Sequence, residues 1–225
     1  MDGTGVLFRA LRRAMEPTAD VHVVEYPTDG PCDYRAALQH AQDRLAALPA
    51  CHIVGWSFSG PIALCLARSQ PDRVRSVTLV ATFVQSPLAS LRWVAPLMFS
   101  PLVGIARAVR RLPVWLGRAA DDPVRRDKAE LWRRVGARTL AARARAIRRV
   151  DARADLAAVT QAIQYLAPRD DRIVPPRNLA QIRSIREDVE VVHLDGDHFA
   201  LYADPEASAA AILSFVARAE AKAAT

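Results

Sequence analysis

The eight residues Ile53-Val54-Gly55-Trp56-Ser57-Phe58-Ser59-Gly60 decide how this chain is read. An apolar run, which reads as a buried strand, stops at a serine between small residues. A helix-forming stretch follows at once through Ile62, Ala63, Leu64, Leu66 and Ala67. A serine on so tight a strand-to-helix turn has its hydroxyl lifted clear of the sheet. Its backbone N–H groups sit at a helix N-terminus, where negative charge is favoured. That geometry suits a serine nucleophile. Side chains two residues before and two after such a serine would collide, and Gly55 and Ser59 relieve both positions. Gly60 lets the new helix pack close to the strand, and Pro61 suits a first helical turn, where no N–H is needed. Ser59 is the poorer nucleophile, because its own −2 and +2 neighbours are Ser57 and Pro61. The bland reading is a turn that happens to contain serines, and the strand and helix on either side count against it.

Working outward, strand-like and helix-like segments alternate. Helices are expected over residues 7–15, 34–48, 59–69, 176–185 and 205–222. Strands are expected over residues 21–26, 51–56, 74–81, 161–167 and 189–194. That order predicts an α/β protein: a doubly wound, mostly parallel sheet covered on both faces, in one domain spanning residues 1–225. From about residue 83 to residue 159 the pattern yields only helical pieces divided by Pro87, Pro96, Pro101, Pro113 and Pro123. This stretch reads as a helical lid inserted after the strand that ends at Ala81. Its apolar residues Leu91, Trp93, Leu97, Met98, Phe99 and Leu102 either hold an acyl chain or pack the lid onto the core.

The 225 residues suffice for one well-packed domain, and the 51% hydrophobic content is that of a globular chain. The net charge of +7 comes almost wholly from arginine, since lysine occurs only at Lys128 and Lys222. Few aromatics and no recognition motif argue against nucleic-acid binding. A solvated helical face explains the charge, with attraction of an anionic substrate or membrane surface as the second reading. The greasiest stretch, residues 91–109, is broken by arginines and prolines and reads as no membrane span. No secretory signal is read at the start, so a cytoplasmic location is expected. Cys32, Cys51 and Cys65 have no ligand spacing, and Cys51 and Cys65, which fall in buried-type segments, read as core residues in a reducing compartment.

A serine hydroxyl needs a base, and a carboxylate to fix the tautomer of an imidazole base. In a doubly wound sheet those partners belong in loops at the C-terminal ends of later strands, in the order serine, acid, histidine. His198, in the loop after the last strand, fits. His22, His52 and His193 fall in strand-like segments, and His40 lies mid-helix. Asp170 and Asp171 compete for the acid, and Asp195 and Asp197 are alternatives better suited to forming their own turn.

With these three segments in place, the chain resembles the α/β-hydrolase superfamily. It is similar to bacterial members with a "GESFSGPIA" nucleophile turn and an "LPGMDGTG" N-terminal motif. The first is matched by residues 55–63 and the tail of the second by Met1-Asp2-Gly3-Thr4-Gly5. The family's D-x-x-V-P motif falls on Asp171, Val174 and Pro175, which favours Asp171, and its histidine motif on Gly196, His198 and Phe199. The resemblance implies a serine hydrolase of esters or thioesters acting on a small molecule. Its catalytic residues would be Ser57, Asp171 and His198, with an oxyanion hole from the N–H groups of Phe58 and Asp2 and no metal or organic cofactor. Family members carry a central strand before the N-terminal motif. Its absence here implies an N-terminal truncation, with Met1 an internal methionine and the second oxyanion donor at a loose end. The alternatives are a non-catalytic ligand-binding protein and an acyltransferase on the same scaffold.

Overall fold

The computed structural model describes residues 3–30, 32–87 and 123–223. Four strands form one parallel sheet in the order β1 (Cys51–Trp56), β2 (Val74–Val80), β3 (Ala162–Pro168) and β4 (Glu190–Leu194). The helices are α1 (Arg9–Met15), α2 (Tyr34–Ala46), α3 (Gly60–Ser69), α4 (Pro123–Arg134), α5 (Ala137–Ile147), α6 (Arg153–Ala158), α7 (Arg177–Ile185), α8 (Ala200–Ala203) and α9 (Pro205–Ala223). The expected α/β class and parallel sheet are therefore present.

The period-2 alternation of the strands feeds two cores. Val77 and Leu79 of β2 and Ile163 and Tyr165 of β3 face one side. There they meet Leu45 of α2, Leu64 of α3, Leu156 of α6 and Ile182 of α7. Val80 and Leu166 face the other side and meet Leu11 and Met15 of α1, Leu201 of α8 and Ile212 of α9. Helices thus cover both faces. Asp33 caps α2, its carboxylate accepting from the Ala36 N–H at 3.0 Å.

Residues 21–26, expected as a strand, form none. A strand exists only through ladder bonds to a neighbour. Among the described residues β1 is the edge of the sheet, and no strand lies beside it for this segment to extend. Its Tyr26 N–H instead donates to the Gly3 carbonyl at 2.7 Å.

The apolar residues assigned to the expected lid, Leu91 to Leu102, lie outside the described residues. Of the rest of that segment, Phe83 and Val84 are fully buried core residues, and Ala152, Leu156 and Val159 join them. Gln85 bridges to Asp151, which draws the two ends of the segment together. Helix α4 is tied to α1 and helix α5 to the loop before α2: Arg9 pairs with Glu130 at 2.8 Å, and the Thr139 hydroxyl lies 2.9 Å from the Thr28 carbonyl and 2.8 Å from that of Gly30.

Candidate active site

The strands are all parallel, so the C-terminal ends of β1, β3 and β4 lie along one edge of the sheet and the loops that follow them meet there. Ser57 follows β1 immediately and opens a 3-10 turn, Ser57–Ser59, that runs into α3. Its φ of 53° is left-handed, a conformation that costs a non-glycine residue on the order of 1–2 kcal/mol. The turn is held sharp by what is missing around it. A Cβ on Gly55 would stand 2.8 Å from Ala63 Cβ and 2.9 Å from the Ser59 carbonyl oxygen. A Cβ on Gly60 would strike Thr82 Oγ1 at 2.1 Å, so the close approach that Gly60 permits is to the residue just beyond β2.

Asp171 stands in the loop after β3. Its Oδ1 accepts from the backbone N–H groups of Ile173 and Val174, both at 2.8 Å. That leaves Oδ2 facing His198 Nδ1, 2.8 Å away. His198 stands in the loop after β4, and its Nε2 lies 3.0 Å from Ser57 Oγ. Both partners are sheltered, Asp171 at 9% and His198 at 7% exposure. With Asp171 accepting a hydrogen bond from the Nδ1–H, Nε2 presents its lone pair to the serine. The arrangement is one that can remove a proton from the hydroxyl and later return it.

The competing residues are elsewhere occupied. Asp170 is exposed, Asp195 pairs with Arg169 at 3.1 Å, and Asp197 accepts from the Phe199 N–H at 2.8 Å, which is the turn-forming role expected of it. His22 pairs with Asp20, and His52 with Ser76 and Glu220. Phe58 is buried at the start of the turn, its ring stacked on that of Tyr34 at 4.3 Å. Asp2, the other expected oxyanion donor, lies outside the described residues. Among the described residues no group of three or more His, Cys, Asp or Glu is placed to hold a metal ion, and no helix is long and apolar enough to cross a membrane.

A profile of the alpha/beta hydrolase family matches residues 3–211. The chain belongs to that family. Among solved structures, the hydrolase fold seen here is similar to that of a hydrolase from Pseudomonas aeruginosa PA01, at 22% identity and TM-score 0.74, covering 96% of this chain and 86% of that one. A structure described under carboxylesterases of the thaumarchaeon Nitrososphaera gargenis gives 15% identity and TM-score 0.75, with 98% and 88% coverage. A thioesterase domain from the curacin biosynthetic pathway gives 15% identity and TM-score 0.61, with 95% and 87% coverage. No curated protein sequence matches.

Three further residues at this candidate site were not singled out by sequence reasoning. Trp56 donates its indole N–H to the His198 carbonyl at 3.2 Å and packs edge-on to Phe199. Thr82 donates its hydroxyl to the Ser57 carbonyl at 2.5 Å. Tyr165, within β3, both accepts from the Thr82 N–H and donates to the Thr82 carbonyl, each at 2.9 Å. The one sequence signal for Thr82 was its position just past the end of a strand.

Proposed function

We propose that this chain is a serine hydrolase that cleaves a carboxylic ester or thioester through an acyl-enzyme on Ser57. The observation that carries the reading is the continuous relay from Ser57 Oγ to His198 Nε2 at 3.0 Å and from His198 Nδ1 to Asp171 Oδ2 at 2.8 Å.

The steps follow from the geometry. Ser57 Oγ attacks the carbonyl carbon while its proton passes to His198 Nε2. The imidazolium so formed is steadied by the Asp171 carboxylate, whose other oxygen is fixed by two N–H donors. The Phe58 N–H faces the negative charge that develops on the substrate oxygen. The tetrahedral species collapses, the C–O or C–S bond breaks, and His198 returns the proton to the departing alcohol or thiol. Water then adds to the acyl carbon, losing its proton to His198. The second collapse frees Ser57 and a carboxylic acid. Ester and thioester are the substrate classes named for two of the similar structures, and both offer the acyl carbon and the leaving group that this sequence of steps requires.

The test is covalent labelling. A fluorophosphonate probe, a tetrahedral mimic aimed at activated serines, should modify Ser57, with a p-nitrophenyl ester turned over in parallel. Absence of labelling together with absence of ester and thioester turnover overturns the reading.

A further inference from the structure

Two residues at the ends of adjacent strands share an uncommon conformation. Ser57, after β1, has φ 53°, and Ala81, after β2, has φ 45°, and neither is glycine. Such conformations persist only where the surroundings over-determine them. What joins them is Thr82. The bend at Ala81 carries Thr82 beneath the start of α3, into the space left by the missing side chain of Gly60. From there its hydroxyl donates to the Ser57 carbonyl at 2.5 Å.

That carbonyl shares one planar peptide unit with the Phe58 N–H, and in a trans peptide the two bonds point in opposite directions. The Ser57 oxygen also accepts the Gly60 N–H within the 3-10 turn, and the Thr82 hydroxyl adds a second donor from outside that turn; the pair of donors fixes the direction in which the Phe58 N–H points. It also draws electron density toward the oxygen, which strengthens the N–H as a donor.

Thr82 is itself immobilised. Tyr165 grips its backbone from both sides, accepting from the N–H and donating to the C=O. Burial pushes the Tyr165 phenol well above the ordinary tyrosine range, helped by the negative charge of Asp171, so the hydroxyl keeps the proton it donates. Tyr165 is 3% exposed and Thr82 1%.

We infer that Thr82, held by Tyr165, is a positioning residue that aims the Ser57–Phe58 peptide at the oxyanion. The inference rests on the serine-hydrolase reading above. Neither side chain touches substrate. The effect belongs to the transition state, where the oxyanion exists, and not to the bound ester.

The experiment compares the wild type with Thr82→Val, Thr82→Ser and Tyr165→Phe. Each is normalised to active sites by titration with the fluorophosphonate, so that loss of folded protein does not count. In T82V a methyl replaces the hydroxyl. kcat is expected to fall roughly 10- to 100-fold with KM within about twofold. Affinity for an alkyl boronic acid, which forms an anionic tetrahedral adduct, is expected to fall by the same factor. T82S restores both, and Y165F shows a smaller loss in the same direction. If T82V folds and matches wild type in kcat and boronate affinity, the inference is overturned while the hydrolase reading stands. If T82V is too unstable to measure, Y165F with unchanged kcat overturns it equally. A wild-type chain that resists the probe and turns over neither ester nor thioester overturns both.

Discussion

His198 Nε2 stands 3.0 Å from Ser57 Oγ, although 141 residues separate the two in the chain. The contact is made because the strands run parallel, so the turn after β1 and the loop after β4 leave the same edge of the sheet and reach toward each other there. Proton transfer between these groups needs no rearrangement, and the first prediction follows. Ser57→Ala and His198→Ala should each lower kcat/KM by roughly 10⁴-fold or more, and the double variant should be no worse than the worse single one, because the pair acts as a unit. Steady-state kinetics on a p-nitrophenyl ester checks this. Additive losses would show that the two side chains act separately.

Asp171→Asn tests the tautomer. Two backbone N–H groups bind Oδ1, so the amide oxygen of asparagine takes that place and its NH₂ group faces His198 Nδ1. The histidine must then carry its proton on Nε2, where it opposes deprotonation of Ser57. A loss of about 10⁴-fold in kcat is expected with little change in thermal stability. Asp170→Asn, in an exposed position, should leave kcat within about twofold.

Gly60→Ala tests the close approach beneath α3. The new methyl would stand 2.1 Å from Thr82 Oγ1 and 2.7 Å from Thr82 Cβ. Two buried atoms must separate, and overpacking of this kind costs about 1–3 kcal/mol. Urea unfolding should show a lower midpoint with unchanged slope, and turnover per active site should fall as well. Gly30→Ala leaves open space around its Cβ, so its cost is confined to the left-handed φ of 76°.

His52 gives the acid-side dependence of stability. Partial burial lowers its pKa below the usual 6.5, with Arg75 adding to the fall and Glu220 opposing it. The unfolded chain then binds more protons than the folded one just below pH 6.5, so stability rises with pH through that window and is lost as pH falls. His52→Gln removes this term. Between pH 7.5 and pH 5.5 the variant's urea midpoint should fall less than that of wild type; an equal or larger fall would contradict the assignment.

Much of the site was legible as local pattern. The step from Trp56 to Ser57 reads as strand into helix because Gly55, Ser59 and Gly60 are small at the positions where the backbone turns back on itself. Asp171 and His198 were marked by lying just past apolar runs in the right order. Residues 21–26 show where that reasoning stops. Their composition suits a strand, but a ladder needs a neighbour, and β1 presents the bare edge of the sheet among the described residues.

The sequence by itself determined the alternation of strands and helices, the bend at Ser57, and the loops that carry an acid and an imidazole, since each is a matter of side-chain size, polarity and spacing within a few residues. Only the tertiary structure decided which carboxylate meets His198, that Trp56 holds the histidine's carbonyl, and that Thr82 and Tyr165 reach the peptide after Ser57. These contacts join residues on different strands. Hydrogen-bond reach is about 3 Å, and which side chains come within it is set by how the sheet packs, a property no short stretch of chain contains.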